Sequence, residues 1–334
     1  MKRKGENKTA TRVSNQKEGW RGYLSNEFSN KLEKGILHPL IQYIKNDCDI
    51  ESGMDIQLRD NYINIYYKGG NILTIKPRSF FFDEFYFYIP ETENSFRKTH
   101  IKYIYDKTPE KISTNTPFKI PTYEQASAIM EDILYKKNQL LEKLPSKYED
   151  YFYQAKSQMN DWLNVTKHEE RGNQHKISLA NREFSSGNDL VVIDLEFCVS
   201  TDKKHHSYAN GKQCRFDLIC VDKTGQLYVI ELKNELSTDL PDKKSNVEDH
   251  KNDFITTVCS NKDSKGDFIK EMKGLLKVKK MLGILKNEVY IDDKKAPIFA
   301  ISFSGKNIEE RDKFKKIHKE DIYIDIDDNW KLRK

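Results

Sequence analysis

Several features that mark common classes of protein are missing from this chain of 334 residues. No stretch approaches the roughly 18 consecutive apolar residues of a membrane span, and Met1 to Lys4 lead into a polar segment instead of the apolar core of a signal peptide. The five cysteines are an odd number and include no C-x-x-C pair, which favours a reducing compartment. We therefore expect a cytoplasmic protein that does not bind a membrane.

Sequence signatures of several enzyme classes are absent as well. The chain has no G-x-x-x-x-G-K-[ST] loop to cradle phosphates, which argues against ATP-driven activity, and no G-x-S-x-G nucleophile turn. His205, His206 and Cys214 lack the second ligand pair that a structural zinc site needs. We expect these two histidines to be exposed and not to bind zinc.

The composition indicates a folded protein with a modest positive charge. Charged residues make up 33% of the chain and the mean hydropathy is −0.80, yet 18 tyrosines and 17 phenylalanines favour packed cores over disorder. A net charge of +5 is small, so binding to nucleic acid would depend on a local basic surface. The lysines that follow residue 242 would form such a surface or the solvent side of an amphipathic helix pair, and the sequence does not separate these two interpretations.

Shifts in composition divide the chain into four predicted parts. These are a disordered basic tail at 1–18, an α+β domain at 19–105, a connection with a helix at 106–145 and a C-terminal α/β domain at 146–334. The α+β domain is expected to recognise substrate or partner. Its aromatic strand at 62–67 would either stack bases or belong to the core, and the core is the preferred interpretation.

Hydrophobic periodicity predicts the elements of each part. Helices are expected over 20–44 with an interruption near Pro39, over 122–144 and 147–181, and between 247 and 285. Strands are expected at 54–59, 62–67, 72–76, 80–89, 190–199, 215–222, 227–233 and 297–303. The C-terminal part therefore has the predicted order helix, strand, strand, strand, helix, strand.

The most informative segment is a hairpin that carries charges inside apolar runs. Its predicted strands are 215–222 and 227–233, joined by a short turn with a glycine. Burying Glu231 and Lys233 costs several kcal/mol unless they are paired. Period-2 geometry places both on one face of the sheet, with Asp217 beside them if the register sets it opposite. Two carboxylates and an ammonium at one strand end would suit a hard cation such as Mg²⁺.

Asp217 followed by Glu231-Leu232-Lys233 at the end of a hairpin resembles the PD-(D/E)XK nuclease superfamily, whose members are restriction-endonuclease-like. The resemblance implies an α/β fold with an αβββαβ core and a mixed central sheet, preceded in this chain by the N-terminal α+β domain. It implies that Asp217, Glu231 and the carbonyl of Leu232 hold Mg²⁺ or Mn²⁺. It also implies that Lys233 positions or activates the attacking water.

In many members of this superfamily an acid on the helix before the first core strand completes the metal site. Glu170 is the predicted acid, because Gln174 lies one turn later on the same helical face, and Glu169 is the competing choice. A solvated charged turn is the alternative, since Gly172 weakens the helix prediction. His250, at the start of the helix after the hairpin, either orients water, contacts a phosphate or marks an ordinary helix start.

Two further acids, Asp194 and Glu196, stand two residues apart on the first predicted core strand. Either one of them approaches the metal or supports Lys233, or both lie on a sheet face that is open to solvent. The solvent-facing arrangement is the preferred interpretation, so neither acid is placed in the predicted site.

The superfamily resemblance implies a Mg²⁺-dependent nuclease that hydrolyses phosphodiester bonds of nucleic acid, with DNA favoured over RNA. The resemblance implies a role in bacterial antiviral defence or restriction, and a homodimer or a partner protein. One alternative is a catalytically inactive nuclease fold that acts as a nucleic-acid-binding or complex-assembly subunit. A second alternative is an ordinary α/β hairpin whose charges face water.

Overall fold

The computed structural model describes residues 17–81, 88–89, 99–100, 139–140, parts of 152–163, 169–199, 214–233, 246–304 and 308–334. These residues form a mixed α/β structure with two main sheets, one of them curled. The helices used below are α1 (Asn26–Glu33), α2 (His38–Asn46), α3 (Glu169–Ala180), α4 (Asn246–Thr257), α5 (Lys262–Met281) and α6 (Ile308–Ile317).

The first sheet is antiparallel throughout. Its strands are β1 (Met54–Leu58), β2 (Ile63–Tyr67), β3 (Gly70–Ile75), β4 (Ser79–Phe81) and β7 (Gln139–Leu140). They lie in the order β1-β2-β3-β4-β7, while β5 (Tyr88–Ile89) and β6 (Thr99–His100) form a separate antiparallel pair. Helices α1 and α2 precede this sheet, and α2 packs against β1.

The second sheet is mixed and contains the charged hairpin. Its strands are β8 (Leu190–Val199), β9 (Cys214–Asp222), β10 (Leu227–Lys233), β11 (Ile298–Phe303), β12 (Tyr323–Ile326) and β13 (Leu332–Arg333), in sequential spatial order. β8, β9 and β10 pair in antiparallel fashion. β11 is parallel to β10, β12 is parallel to β11, and β13 is antiparallel to β12. The sheet curls until β13 reaches the start of β8, where the N–H of Asp189 donates to the carbonyl of Leu332 at 2.8 Å.

One hydrophobic cluster extends across both sheets. Ile56 and Ile65 of the first sheet share this cluster with Ile219 and Val229 of the second, and Leu275 of α5 packs among them. All of β1 is buried. Each Å² of apolar surface removed from water contributes about 25 cal/mol, so these contacts hold the N-terminal sheet firmly against the C-terminal part.

Polar side chains at the same junction are paired. Asp55 of β1 accepts a hydrogen bond from Ser178 Oγ at 2.7 Å and forms an ion pair with Arg182 at 3.1 Å. Lys279 Nζ donates to Gln57 Oε1 at 3.0 Å. Burial opposes the charge on Asp55, but Arg182 and Lys279 outweigh it and hold the pKa of Asp55 at about 2.

Most of the predicted elements that fall on described residues are present. The helical pattern at 20–44 is divided into α1 and α2, because α2 starts anew with Pro39 in its first turn. Burial of Ile63, Ile65 and Tyr67 confirms that the aromatic strand belongs to the core.

Other predictions are wrong or lie outside the described residues. The helix predicted over 122–144 is wrong at Gln139–Leu140, which pairs with β4. The sequence prediction also missed α6, β12 and β13. Residues 1–16 of the predicted tail, 106–138 and 141–145 of the predicted connection, and His205 and His206 are outside the described residues. No helix of the described residues is long and apolar enough to cross a bilayer.

The expected solvent exposure of Asp194 is wrong. Its side chain is completely buried, with Arg21 Nη1 3.1 Å from Oδ2 and Arg59 Nη1 3.2 Å from Oδ1. Glu196 is only partly exposed. Two arginines of the N-terminal part therefore compensate one buried carboxylate of β8, and this ion triad ties the two sheets together.

Removing the charge of Asp194 should destabilise the protein strongly. Asp194→Asn removes the carboxylate that compensates two buried guanidinium groups, and we expect the free energy of unfolding to fall by about 3 kcal/mol or more. Asp293→Asn is the matched control, because its ion pair with Lys273 is exposed and screened by solvent, so its loss should change the free energy of unfolding far less. Urea unfolding curves measure both values, and equal losses would contradict the proposed importance of the triad.

Candidate active site at the end of the β9–β10 hairpin

The candidate site lies where β9 and β10 stop pairing with each other. The last paired residues are Leu218 and Ile230, and Asp217 and Glu231 come next on the two strands. The carboxylate of Asp217 accepts a hydrogen bond from the backbone N–H of Leu232 at 2.8 Å. A side chain thus replaces a backbone partner at this position, which fixes the carboxylate beside β10.

Glu231 is paired with two basic side chains. Lys233 Nζ lies 3.1 Å from Oε1 of Glu231, and Nδ1 of His250 on α4 lies 2.7 Å from Oε2. Asp217 and Glu231 are 4% and 3% exposed, so the alternative in which the hairpin charges face water is wrong. This contact agrees with the prediction that Glu231 and Lys233 lie on the same face of the sheet.

Helix α3 contributes Gln174 to the site. Its amide Nε2 donates to Oδ1 of Asp217 at 3.0 Å, and the side chain is buried. Glu170, one turn earlier on α3, is exposed, as is Glu169. The negative charge of Glu170 contributes to the electrostatic environment of Asp217. The structure therefore brings together Asp217, Glu231, Lys233, Gln174 and His250, and leaves Glu170 at the solvent edge.

The electrostatics of the site favour an added positive charge. Burial, and then repulsion by Glu231, raise the pKa of Asp217 to about 8, although the hydrogen bond from Leu232 acts in the opposite direction. Hydrogen bonding to Glu231 raises the pKa of His250. Two buried carboxylates thus compete for the positive charge of Lys233 and His250.

The donor set fits Mg²⁺ better than a metal that requires a complete protein cage. In the part of the chain that the structure describes, no group of three or more His, Cys, Asp and Glu side chains is arranged to hold a metal ion. Mg²⁺ keeps several waters and commonly takes only one or two carboxylates. Asp217 and Glu231 would supply these two, while the predicted ligand roles of the Leu232 carbonyl and Glu170 stay predictions.

Sequence reasoning missed two arginines next to this site. Arg215 of β9 and Arg171 of α3 both approach Oε1 of Glu196, at 3.3 Å from Nη1 and 3.9 Å from Nε. Glu196 has a left-handed backbone with φ of 48°, and Arg21 donates to its carbonyl at 2.5 Å. Arg215 could have been found, because it lies two residues before Asp217 and period-2 geometry places both on one face.

The raised pKa of Asp217 predicts a distinctive pH dependence of stability. The folded carboxyl keeps its proton up to about pH 8, whereas the unfolded one releases it near pH 3.9. Stability from this group is complete below about pH 4 and is lost as pH rises toward 8, at up to about 1.4 kcal/mol per pH unit.

We therefore expect Asp217→Asn to gain stability relative to wild type between about pH 5 and 8 in EDTA. Asp293→Asn should not, because its hydrogen bond with Lys273 lowers the pKa of Asp293 and places its titration below this window. The measurement is urea unfolding at several pH values. Parallel pH profiles for wild type and Asp217→Asn would show that Asp217 is ionised throughout.

Comparisons of this chain with models of protein families, with curated proteins and with solved structures gave no match. The resemblance to the PD-(D/E)XK superfamily therefore depends on the hairpin residues and on the arrangement of the side chains around them.

Proposed function

We propose that this protein is a Mg²⁺-dependent nuclease that hydrolyses phosphodiester bonds of nucleic acid, with DNA favoured over RNA. The observation that carries the proposal is the burial of Asp217 and Glu231 side by side at a strand end, with Lys233 in contact with Glu231. Burying these charges destabilises the fold by several kcal/mol unless they are compensated. A divalent cation bound between the two carboxylates would supply that compensation.

The order of elements supports the same proposal. Helix α3 is followed by the antiparallel strands β8, β9 and β10, then by α4 and α5, and then by β11, which lies parallel to β10. This order corresponds to the αβββαβ core implied by the superfamily resemblance. The first sheet, and β12 and β13 at the other edge, are additions to that core.

Each residue of the site has a proposed task. Asp217 and Glu231 would hold the metal, aided by the carbonyl of Leu232 and by Glu170 from the solvent edge. The bound ion supplies positive charge that offsets the charge developing on the phosphate and the leaving oxygen. Lys233 positions or deprotonates the attacking water, which it can do from its place beside Glu231.

Gln174 and His250 act on the carboxylates. Gln174 fixes the orientation of Asp217 through its amide, and His250 fixes Glu231 from α4. His250 is also partly exposed, so its ring can meet a phosphate that enters beside Glu231. Mn²⁺ would replace Mg²⁺ because both accept oxygen ligands. The biological setting implied by the resemblance is bacterial defence against phage or restriction, with a homodimer or a partner protein.

A cleavage assay tests the proposal. Wild type, Asp217→Ala and Lys233→Ala are incubated with plasmid, linear and single-stranded DNA and with RNA, each in Mg²⁺, Mn²⁺ or EDTA. We expect metal-dependent cleavage by wild type and a loss of about 100-fold or more in both variants. Lys286→Ala is the control, because this lysine is exposed and pairs with Glu183, which is not a residue of the candidate site.

The other outcomes are equally informative. Unchanged cleavage by Asp217→Ala or Lys233→Ala, with the fold retained by circular dichroism, would contradict the assignment of the site. Metal-independent binding of nucleic acid without cleavage by any variant would favour the alternative of an inactive nuclease fold that serves as a binding or assembly subunit.

A further inference from the structure

Two arginines and one glutamate form a compact charged group next to the candidate site. Arg171 and Arg215 approach the same oxygen of Glu196, and their side chains are 39% and 51% exposed. We call Arg171 and Arg215 the arginine pair. Each guanidinium carries five N–H donors, more than one shared carboxylate oxygen can accept. The group therefore has donors left for a ligand with several oxygens.

The arginine pair lies beside Asp217 on two different elements. Arg215 precedes Asp217 by two residues on β9, so their side chains share one face of the strand. Arg171 precedes Gln174 by three residues on α3, which places them on neighbouring positions of one helical face. Since Gln174 is hydrogen-bonded to Asp217, both arginines are close to the carboxylates of the site.

The N-terminal part of the chain holds this group in place. Arg21 donates to the carbonyl of Glu196, which fixes its left-handed backbone. The turn between β2 and β3 packs against α3 so tightly that a Cβ on Gly69 would lie 2.3 Å from the carbonyl oxygen of Arg171. Gly69 itself has φ of 80°, a conformation that favours glycine. The backbone of Glu196 and that of Arg171 are therefore held by contacts from the N-terminal part of the chain.

The charge of the group suits a phosphate. Two guanidinium groups and one carboxylate leave a net charge of +1, next to two buried carboxylates that would repel a polyanion. A planar guanidinium binds two oxygens of a phosphate at once, which a lysine cannot do. A nucleic acid entering this site needs such flanking positive charge, because its backbone must approach Asp217 and Glu231.

We propose that Arg171 and Arg215 bind the non-bridging oxygens of a backbone phosphate next to the one that is cleaved. This inference rests on the proposed function, because it names the part of the substrate that the same site receives. Contacts with the phosphodiester backbone carry no information about the base sequence. The arginine pair therefore contributes equally to the affinity for every sequence and to the alignment of its backbone in the site.

The test separates binding from cleavage. Fluorescently labelled short DNA, as duplex and as single strand, is titrated with wild type, Arg171→Gln, Arg215→Gln and the double variant in EDTA. We expect each single variant to raise Kd by about tenfold. The slope of log K against log salt should fall by about 0.9 on duplex or about 0.7 on single strands for each phosphate that is no longer neutralised.

Two further variants sharpen this result. Arg78→Gln is the matched control, because Arg78 is 83% exposed and pairs with Glu27 on the surface of α1. It should leave Kd and the salt slope unchanged. Arg215→Lys keeps the charge but not the planar fork, so it should restore the salt slope while only partly restoring affinity. Urea unfolding of every variant shows whether the fold is retained.

The outcomes distinguish this inference from the proposed function. Weaker binding in both arginine variants supports the arginine pair, whether or not wild type cleaves DNA in Mg²⁺. If wild type cleaves DNA but Arg171→Gln and Arg215→Gln bind it with the same Kd as Arg78→Gln, the role of the arginine pair is overturned. The proposed nuclease function would be unaffected by that result. Equal losses of affinity in Arg171→Gln, Arg215→Gln and Arg78→Gln would show general charge attraction and overturn the inference as well. If wild type neither binds nor cleaves nucleic acid, both proposals are overturned.

Discussion

The hydrogen bond between the carboxylate of Asp217 and the backbone N–H of Leu232 is the contact on which the candidate site depends. It closes the gap that opens where β9 and β10 stop pairing, and it sets the carboxylate against Glu231. Without a side chain there, a buried backbone N–H would lack its partner, which costs about 1–3 kcal/mol. Fold and site therefore need the same residue. Its burial, and then repulsion by Glu231, raise the pKa of Asp217, although this hydrogen bond lowers it.

A second buried carboxylate connects the two sheets. Asp194 faces Arg21 and Arg59 at the junction, while Glu196, two residues further along β8, faces Arg171 and Arg215 near the site. A register shift after Val192 and the left-handed backbone of Glu196 interrupt the regular alternation of the strand. β8 thus carries one acid that holds the N-terminal sheet and another that holds the arginines.

The sequence alone predicted what depends on local pattern. The hairpin, its turn and the contact of Glu231 with Lys233 follow from apolar runs and from period 2. Helical spacing places Gln174 one turn after Glu170, but it does not identify Asp217 as the partner of Gln174. The burial of Asp194 did not follow, because Arg21 and Arg59 lie 173 and 135 residues away in the chain. Long-range ion pairs leave no periodic signal, and the left-handed backbone at Glu196 has none either.

The distribution of charge explains how such a site can tolerate its own burial. Glu231 is paired with Lys233 and His250, while burial, and then repulsion by Glu231, raise the pKa of Asp217. At Asp194, two arginines face one acid, and that ion triad is structural. The two buried clusters differ in their balance of charge. Two arginines face one acid at Asp194, whereas two acids lie beside Lys233 and His250 at the hairpin, and the divalent cation of the proposed function would add positive charge there.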